Sequence, residues 1–452
     1  MSLVRLSQRT LRVTLIAAIT TTAAVILQQP ANAVPSYARQ TGQQCAACHN
    51  GFPELTPYGR LFKLNGFVFG GGQSDLPPFA FMVIPSFTHT DSDQPGGAAP
   101  HYGVNNNFAI PQSASVFYGG AIAPSLGIGT FTQVTFDAVN RNFTWDNTDI
   151  RYAKSTTLGG ETVFGLSVNN NPTVTDLWNS TPAWGYPFLA SELAPTQSTS
   201  TMIEGGFAQQ VLGMNAYAFW NRLVYAEFGA YTTLTKAMDS ALGVNPTGTD
   251  SIKGLAPYWR VAVQPQWGPN SFEFGTFGMA ASINPGRVTG FGTDHKTDIG
   301  FDAQYQYLAD VNSVSLQASW IVENQTLTAS QALGNSTNSN DHLHSLHVKA
   351  SYYYDQTYGG TVGFFRTDGT SDPLLYGATS TMNSPNTTGW SAELDYMPFN
   401  HGGPSFWPWL NMKVGVQYIL YTKFDGAAHN FDGTGRNAAN NNTLFLFDWI
   451  AF

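Results

Sequence analysis

The chain has 452 residues, of which 11% are charged and 14% aromatic, with 45 glycines and a formal net charge of −9. Ordinary soluble domains carry roughly 25% charged residues. An acidic balance with so few Lys and Arg excludes a phosphate-binding surface, so nucleic acid is not a partner, and past the amino-terminal end no apolar run approaches the ~18 residues that a spanning helix needs.

At the amino terminus, Arg5, Arg9 and Arg12 precede an apolar run from Val13 to Leu27, followed by Ala31-Asn32-Ala33. This order predicts a secretory signal peptide over 1–33, cut after Ala33; a retained anchor is the weaker reading, because Thr20, Thr21 and Thr22 interrupt the run. Losing three arginines takes the net charge from −9 to −12. An exported chain that is rich in aromatics and has no long apolar run fits an outer-membrane barrel, whose strands hide their apolar face by alternation. A secreted soluble β protein is the alternative.

Residues 34–78 form a short segment built around Cys45-Ala46-Ala47-Cys48-His49, which holds both cysteines of the chain. Two thioether links and one axial imidazole need this order, because a single helical turn brings both sulfurs and the ring to one edge of a porphyrin. The segment is read as a monohaem cytochrome c segment with one covalent haem c, held by Cys45 and Cys48, with His49 as the iron ligand. The rivals are a redox or disulfide cysteine pair, which has no need of His49, and a zinc site, which needs further ligands nearby. So short a segment cannot close a core around a haem; it is expected to lean on the barrel as a lumen plug. Apolar positions at Leu55, Tyr58, Leu61, Phe62 and Leu64 suit one short helix against a haem face. Arg60 and Lys63 either pair with haem propionates or sit in water. Between Asn50 and Pro78 there is no Met and no second His, so a distal ligand must come from elsewhere. Strand parity puts Met82, Met279 and His347 on the lumen face, with His89 and His101 near the first strand ends.

From Phe79 to Phe452 the apolar pattern has period two. Ile299, Phe301, Ala303, Tyr305 and Tyr307 share one face and Asp298, Gly300, Asp302, Gln304 and Gln306 the other; one face suits lipid and the other water. The same split recurs at Val314 to Trp320, Leu346 to Tyr352 and Val414 to Leu420, between turn clusters such as Gly334-Asn335-Ser336. About seventeen such runs occur, and the even count of single-chain barrels predicts an all-β, transmembrane antiparallel β-barrel of about 16 strands over 79–452, preceded by the short helical haem segment. The polar connections Pro172 to Thr201 and Gly369 to Gly389 are expected as extracellular loops. The last strand ends on Phe452, like the terminal signal of outer-membrane proteins. Asp448 falls on its lipid face, which predicts either a locally polar face or a bulge.

Taken together, Ala38-Arg39-Gln40-Thr41-Gly42 before the Cys45–His49 motif, Pro53, Leu55, Gly59, Phe62, Asn65 and Gly66 after it, and a barrel closing at Phe452 resemble the bacterial fused monohaem cytochrome–porin family of outer-membrane proteins. The resemblance implies an electron conduit with outer-membrane lipid and a periplasmic electron carrier as partners, and in some members an extracellular donor such as ferrous iron. It carries over Cys45, Cys48 and His49 as the haem residues and no iron-binding site or distal ligand. Electron transfer across the outer membrane is thus the leading expectation. A diffusion porin whose haem segment is a plug or redox gate is the alternative, suited by Asp298, Asp302, Glu393, Asp395 and Lys349 on the lumen face. Haem catalysis would need an acid-base residue near an open iron position, and no paired His and Arg adjoins the motif.

Overall fold

The computed structural model describes residues 35–68, 77–157 and 160–452. The signal peptide expected over 1–33 lies outside these residues. Sixteen long strands follow one another around a single antiparallel wall: β1 (Phe79–Thr90), β2 (Asn107–Ala123), β3 (Ile128–Asp137), β4 (Asn142–Thr156), β5 (Thr162–Asn169), β6 (Val211–Trp220), β7 (Val224–Thr233), β8 (Ala256–Val263), β9 (Asn270–Asn284), β10 (Asp294–Leu308), β11 (Asn312–Thr326), β12 (Asn340–Tyr354), β13 (Tyr358–Gly369), β14 (Thr387–Tyr396), β15 (Asn411–Lys423) and β16 (Thr443–Ala451). Two-residue ladders at Ser251–Ile252 and Gln266–Trp267 extend β9 pairing. Closure is direct, for β16 pairs back onto β1 with Met82 opposite Ala451 and Thr90 opposite Thr443. A closed wall leaves no strand edge unpaired in lipid.

Alternation sets the two faces as the sequence predicts. Along β10, Asp298, Asp302, Gln304 and Gln306 are buried toward the lumen while Ile299, Phe301 and Tyr307 are exposed outward. Stacked rings at Tyr358 and Tyr396 help to gird the wall at its short-turn end. No helix among the described residues is long and apolar enough to cross a membrane. The crossing is made by strands, and the closed wall with its outward apolar face is that of an outer-membrane barrel. Asp448 does point outward, opposite Val414, and the β15–β16 register runs through it unbroken, while the β1–β16 register is the same on either side of it. The bulge lies instead between Ile84 and Ser86 against β2.

The connections at one end are mostly short, as at 221–223, 309–311 and 355–357, with 397–410 the exception, and those at the other are mostly long, as at 91–106, 170–210 and 424–442, with 138–141 the exception. In barrels of this kind the short turns face the periplasm. The longest connection departs from expectation. Rather than standing outside as a loop, 170–210 folds back into the lumen, where Val174, Leu177 and Trp178 are fully buried. Its backbone is held by wall side chains: Gln304 and Gln317 both donate to the Trp178 carbonyl, and the Asp298 carboxylate accepts the Ile203 N–H at 2.7 Å.

The amino-terminal segment fills the short-turn end. It contains α1 (Pro35–Thr41), the single turn α2 (Cys45–Cys48) and α3 (Pro57–Leu64). Thr56 caps α3 by accepting the Gly59 N–H, and Pro57 sits at the first helical position, where a missing N–H costs nothing. One face of α3 turns Leu61 and Leu64 onto Leu177, Trp178 and Phe219.

Candidate functional site

Cys45, Cys48 and His49 are brought together on one turn: the His49 N–H donates to the Cys45 carbonyl at 2.8 Å. The chain then folds back, with Asn50 N–H on the Glu54 carbonyl and Thr56 N–H on the Cys48 carbonyl, so that α3 crosses directly beneath the motif. His49 is 7% exposed. Its Nδ1 lies 2.9 Å from the Pro53 carbonyl; a carbonyl only accepts, so Nδ1 carries the proton and Nε2 presents its lone pair. Burial pulls the imidazole down to about 4, which keeps it neutral and able to ligate. Burial pushes the Cys48 thiol up to about 12 and the Cys45 thiol higher still, with Cys48 adding to the latter. Neither is in a disulfide. Among the described residues no group of three or more His, Cys, Asp or Glu is arranged to hold a metal.

Cys48 and His49 open onto a cavity of about 440 Å³, within the ~300–1,000 Å³ of cofactor-sized pockets. Its walls come from three sources. The segment contributes Tyr37, Phe62 and Phe67; the barrel wall contributes Met82, Phe117 and Phe131; the infolded loop contributes Trp184, Pro187 and Phe188. On α3, Gly59, Phe62 and Lys63 face it, the i, i+3, i+4 spacing of one helical face. Thus the short helix expected against a haem face is present, although Leu61 and Leu64 turn the other way.

The charged residues are placed differently from expectation. Arg60 is buried away from the cavity, its Nη2 donating to Ser271 Oγ at 2.9 Å and its Nη1 to Gln304. Burial lowers it to about 10. Lys63 lines the cavity, but its Nζ donates to the Val174 and Asp176 carbonyls at 2.8 and 2.6 Å. Burial first, and then the Arg151 guanidinium, bring it down to about 7. Neither cation stands in water. Of the five candidate distal residues, only Met82 reaches the cavity. Met279 packs with Ile203 and Tyr231, His347 contacts Glu204 at 3.2 Å, His89 bonds Asn106 and His101 is exposed in the first long loop.

Several buried contacts of the segment escaped the sequence reading. Glu54 is fully buried and ion-paired to Lys349 of β12. Burial would raise its carboxyl, but the Lys349 ammonium and hydrogen bonds from Lys349, Ser315 and Gln306 hold it below the usual range. Asn179 of the infolded loop accepts the Leu55 N–H at 2.9 Å. The signal for that loop was present: Val174, Leu177, Trp178 and Trp184 are unusual in a solvated connection.

Beyond the loop lies a second cavity of about 500 Å³, with Glu204, Gln197, His347 and Tyr421 in its walls. Pro182, Ala183, Gly185 and Pro187 line both cavities, so this stretch partitions the lumen. The lumen charges are engaged with one another. Arg260 pairs with Asp302 and, at 3.1 Å, with Glu273, and Lys413 pairs with Glu393 at 2.7 Å and Asp395 at 3.1 Å.

No family model and no curated protein matches the chain. Solved structures similar in fold include OmpT of Vibrio cholerae, at 9% identity with a TM-score of 0.44 over 83% of this chain and 96% of that one. The outer membrane channel DcaP of Acinetobacter baumannii is 12% identical, with a TM-score of 0.43 over 83% of this chain and 96% of its own. An anion-selective porin from Comamonas acidovorans is 11% identical, with a TM-score of 0.44 over 82% and 97%.

Proposed function

We propose that this outer-membrane barrel is a fused monohaem cytochrome–porin that carries one covalent haem c and transfers electrons across the outer membrane. The observation that carries the reading is the cavity onto which the neutral His49 imidazole and the Cys48 thiol both open, enclosed jointly by segment, wall and infolded loop. The donor set fits the group: two thiols one turn apart for the thioether links and an imidazole whose Nε2 lone pair is kept available by the Pro53 carbonyl. A haem held there would supply a one-electron ferric–ferrous couple. The largely aromatic and apolar walls would shield it from water, and His49 is oriented by Pro53 and by the Phe52 ring 5.2 Å away.

The partition supports conduction of electrons over conduction of solutes. The expected lumen charges Asp298, Asp302, Glu393, Asp395 and Lys349 are all buried, and Asp298, Asp302 and Lys349 are spent on holding the loop and the segment. The apolar band of such a barrel is about 25 Å tall, and a redox group seated inside it shortens the gap from both sides. A periplasmic carrier would exchange at the short-turn end, and an extracellular donor such as ferrous iron would approach from the long-loop end.

Diffusion of solutes is the second reading. Similar barrels are named as a channel and an anion-selective porin, and the second cavity carries Glu204, Gln197 and His347 in its walls.

The two readings separate in lipid vesicles. The full-length protein, purified and reconstituted, is expected to show added porphyrin mass, to pass electrons from an external membrane-impermeant reductant to an oxidant trapped inside, and to give no resolved single-channel current. A haem-free product overturns the conduit, and a steady open current unaffected by haem reduction establishes the porin.

A further inference from the structure

We propose that Met82 supplies the second axial ligand, so that the haem of the reading above is held between His49 of the segment and a thioether of the barrel wall. A haem ligated by one imidazole offers its opposite face to a group arriving from another element. Among the described residues the cavity wall carries one imidazole, His49, and one thioether, Met82. Met397, the other methionine close to the motif, packs with Phe52 and Tyr353 and does not line the cavity.

Four of the other donors around the cavity are engaged elsewhere, and a fifth, Glu192, is set beside the Asp137 and Asp146 carboxylates. Lys63 Nζ serves two carbonyls, and Tyr37 Oη donates to the Thr130 carbonyl at 2.9 Å. Asp149 accepts from Arg151 and Ser167, and Asp146 accepts from Thr135 and Gln209. Met82 is 7% exposed, in an apolar cluster with Ile84, Phe117 and Phe447. Its backbone is fixed at the closure of the barrel, opposite Ala451 on one side and Ser115 on the other. A soft thioether held rigidly in a dry wall is suited to haem iron, and His/Met ligation raises the reduction potential. The haem would therefore bridge plug and wall through its own iron.

The test uses the full-length protein with haem content measured by the pyridine haemochrome. The wild type is expected to show a sulfur-to-iron charge-transfer band in the ferric optical spectrum and a low-spin His/Met electron paramagnetic resonance signal. Met82→Leu keeps the apolar volume and is expected to retain covalent haem while losing both features. Met82→His is expected to give a bis-His signal and a lower midpoint potential. Unchanged ferric spectra in Met82→Leu at full haem load overturn the assignment, as does a bis-His or high-spin signal in the wild type, which decides the matter even if the Leu variant fails to assemble. A wild type without haem sinks the haem reading itself, which is a separate result.

Discussion

Gly59 has room for little beyond a hydrogen, since a Cβ there would sit 2.3 Å from the Cys48 carbonyl oxygen. The crossing of α3 beneath the motif depends on that contact. Gly59→Ala is expected to cost about 1–3 kcal/mol of overpacking, and because the strain falls on the motif rather than on the wall, the barrel should still assemble. The check is haem load per folded protein, which should drop while the heat-modifiable electrophoretic mobility of the barrel is unchanged. A second expectation, which rests on the haem reading, concerns Glu192 of the infolded loop, which lines the cavity onto which Cys48 and His49 open. Its side chain is exposed on the loop, and partial desolvation, then the neighbouring Asp137 and Asp146, push the carboxyl up to about 8. Reduction removes one positive charge from the iron site and so favours the protonated acid. As pH rises through about 8 the newly ionised carboxylate favours the ferric state, and the midpoint potential should fall. Glu192→Gln should flatten that slope in a spectroelectrochemical titration.

At the scale of elements, the segment is joined to the wall by buried polar contacts. Glu54 pairs with Lys349, Ser313 donates to Asn50 at 2.5 Å, and Gln356 donates to the His49 carbonyl at 3.1 Å. Removing one member of a buried ion pair leaves a charge without compensation and costs about 3–5 kcal/mol. Glu54→Gln should therefore loosen the plug, and limited proteolysis should cut within 34–68 while the strands stay protected. The double variant Glu54→Gln with Lys349→Met should recover much of the loss, because it removes the stranded ammonium; equal sensitivity in both variants would show that the pair does not hold the segment.

For the whole molecule, two obstructions that pack on each other occupy one lumen: the segment at the short-turn end and the infolded loop across the middle. The ends of that loop are joined by the β5–β6 ladder, with Asn169 opposite Gly213, so replacing 171–209 by a short Gly/Ser linker should leave the wall intact. Removing either obstruction alone is expected to yield little current in planar bilayers, and removing both is expected to open a large steady conductance. If the single loop deletion already conducts as well as the double, the segment is not a plug.

The period-two alternation of strands such as β10 and the sequential spacing of Cys45, Cys48 and His49 were both legible from residues alone, because a strand's faces and a single helical turn are set by neighbours in sequence. The choice among the five distal candidates was not, since parity tells which face a side chain takes and nothing of what stands opposite. Nor was the destination of 170–210: Trp178 and Leu177 hinted at burial, but a connection enters a lumen only when Gln304, Gln317 and Asp298 of distant strands satisfy its backbone. Local patterning determined the barrel and the motif. Closure of the wall determined the cavity, because only the curved sheet brings Met82, Trp184 and His49 around one space.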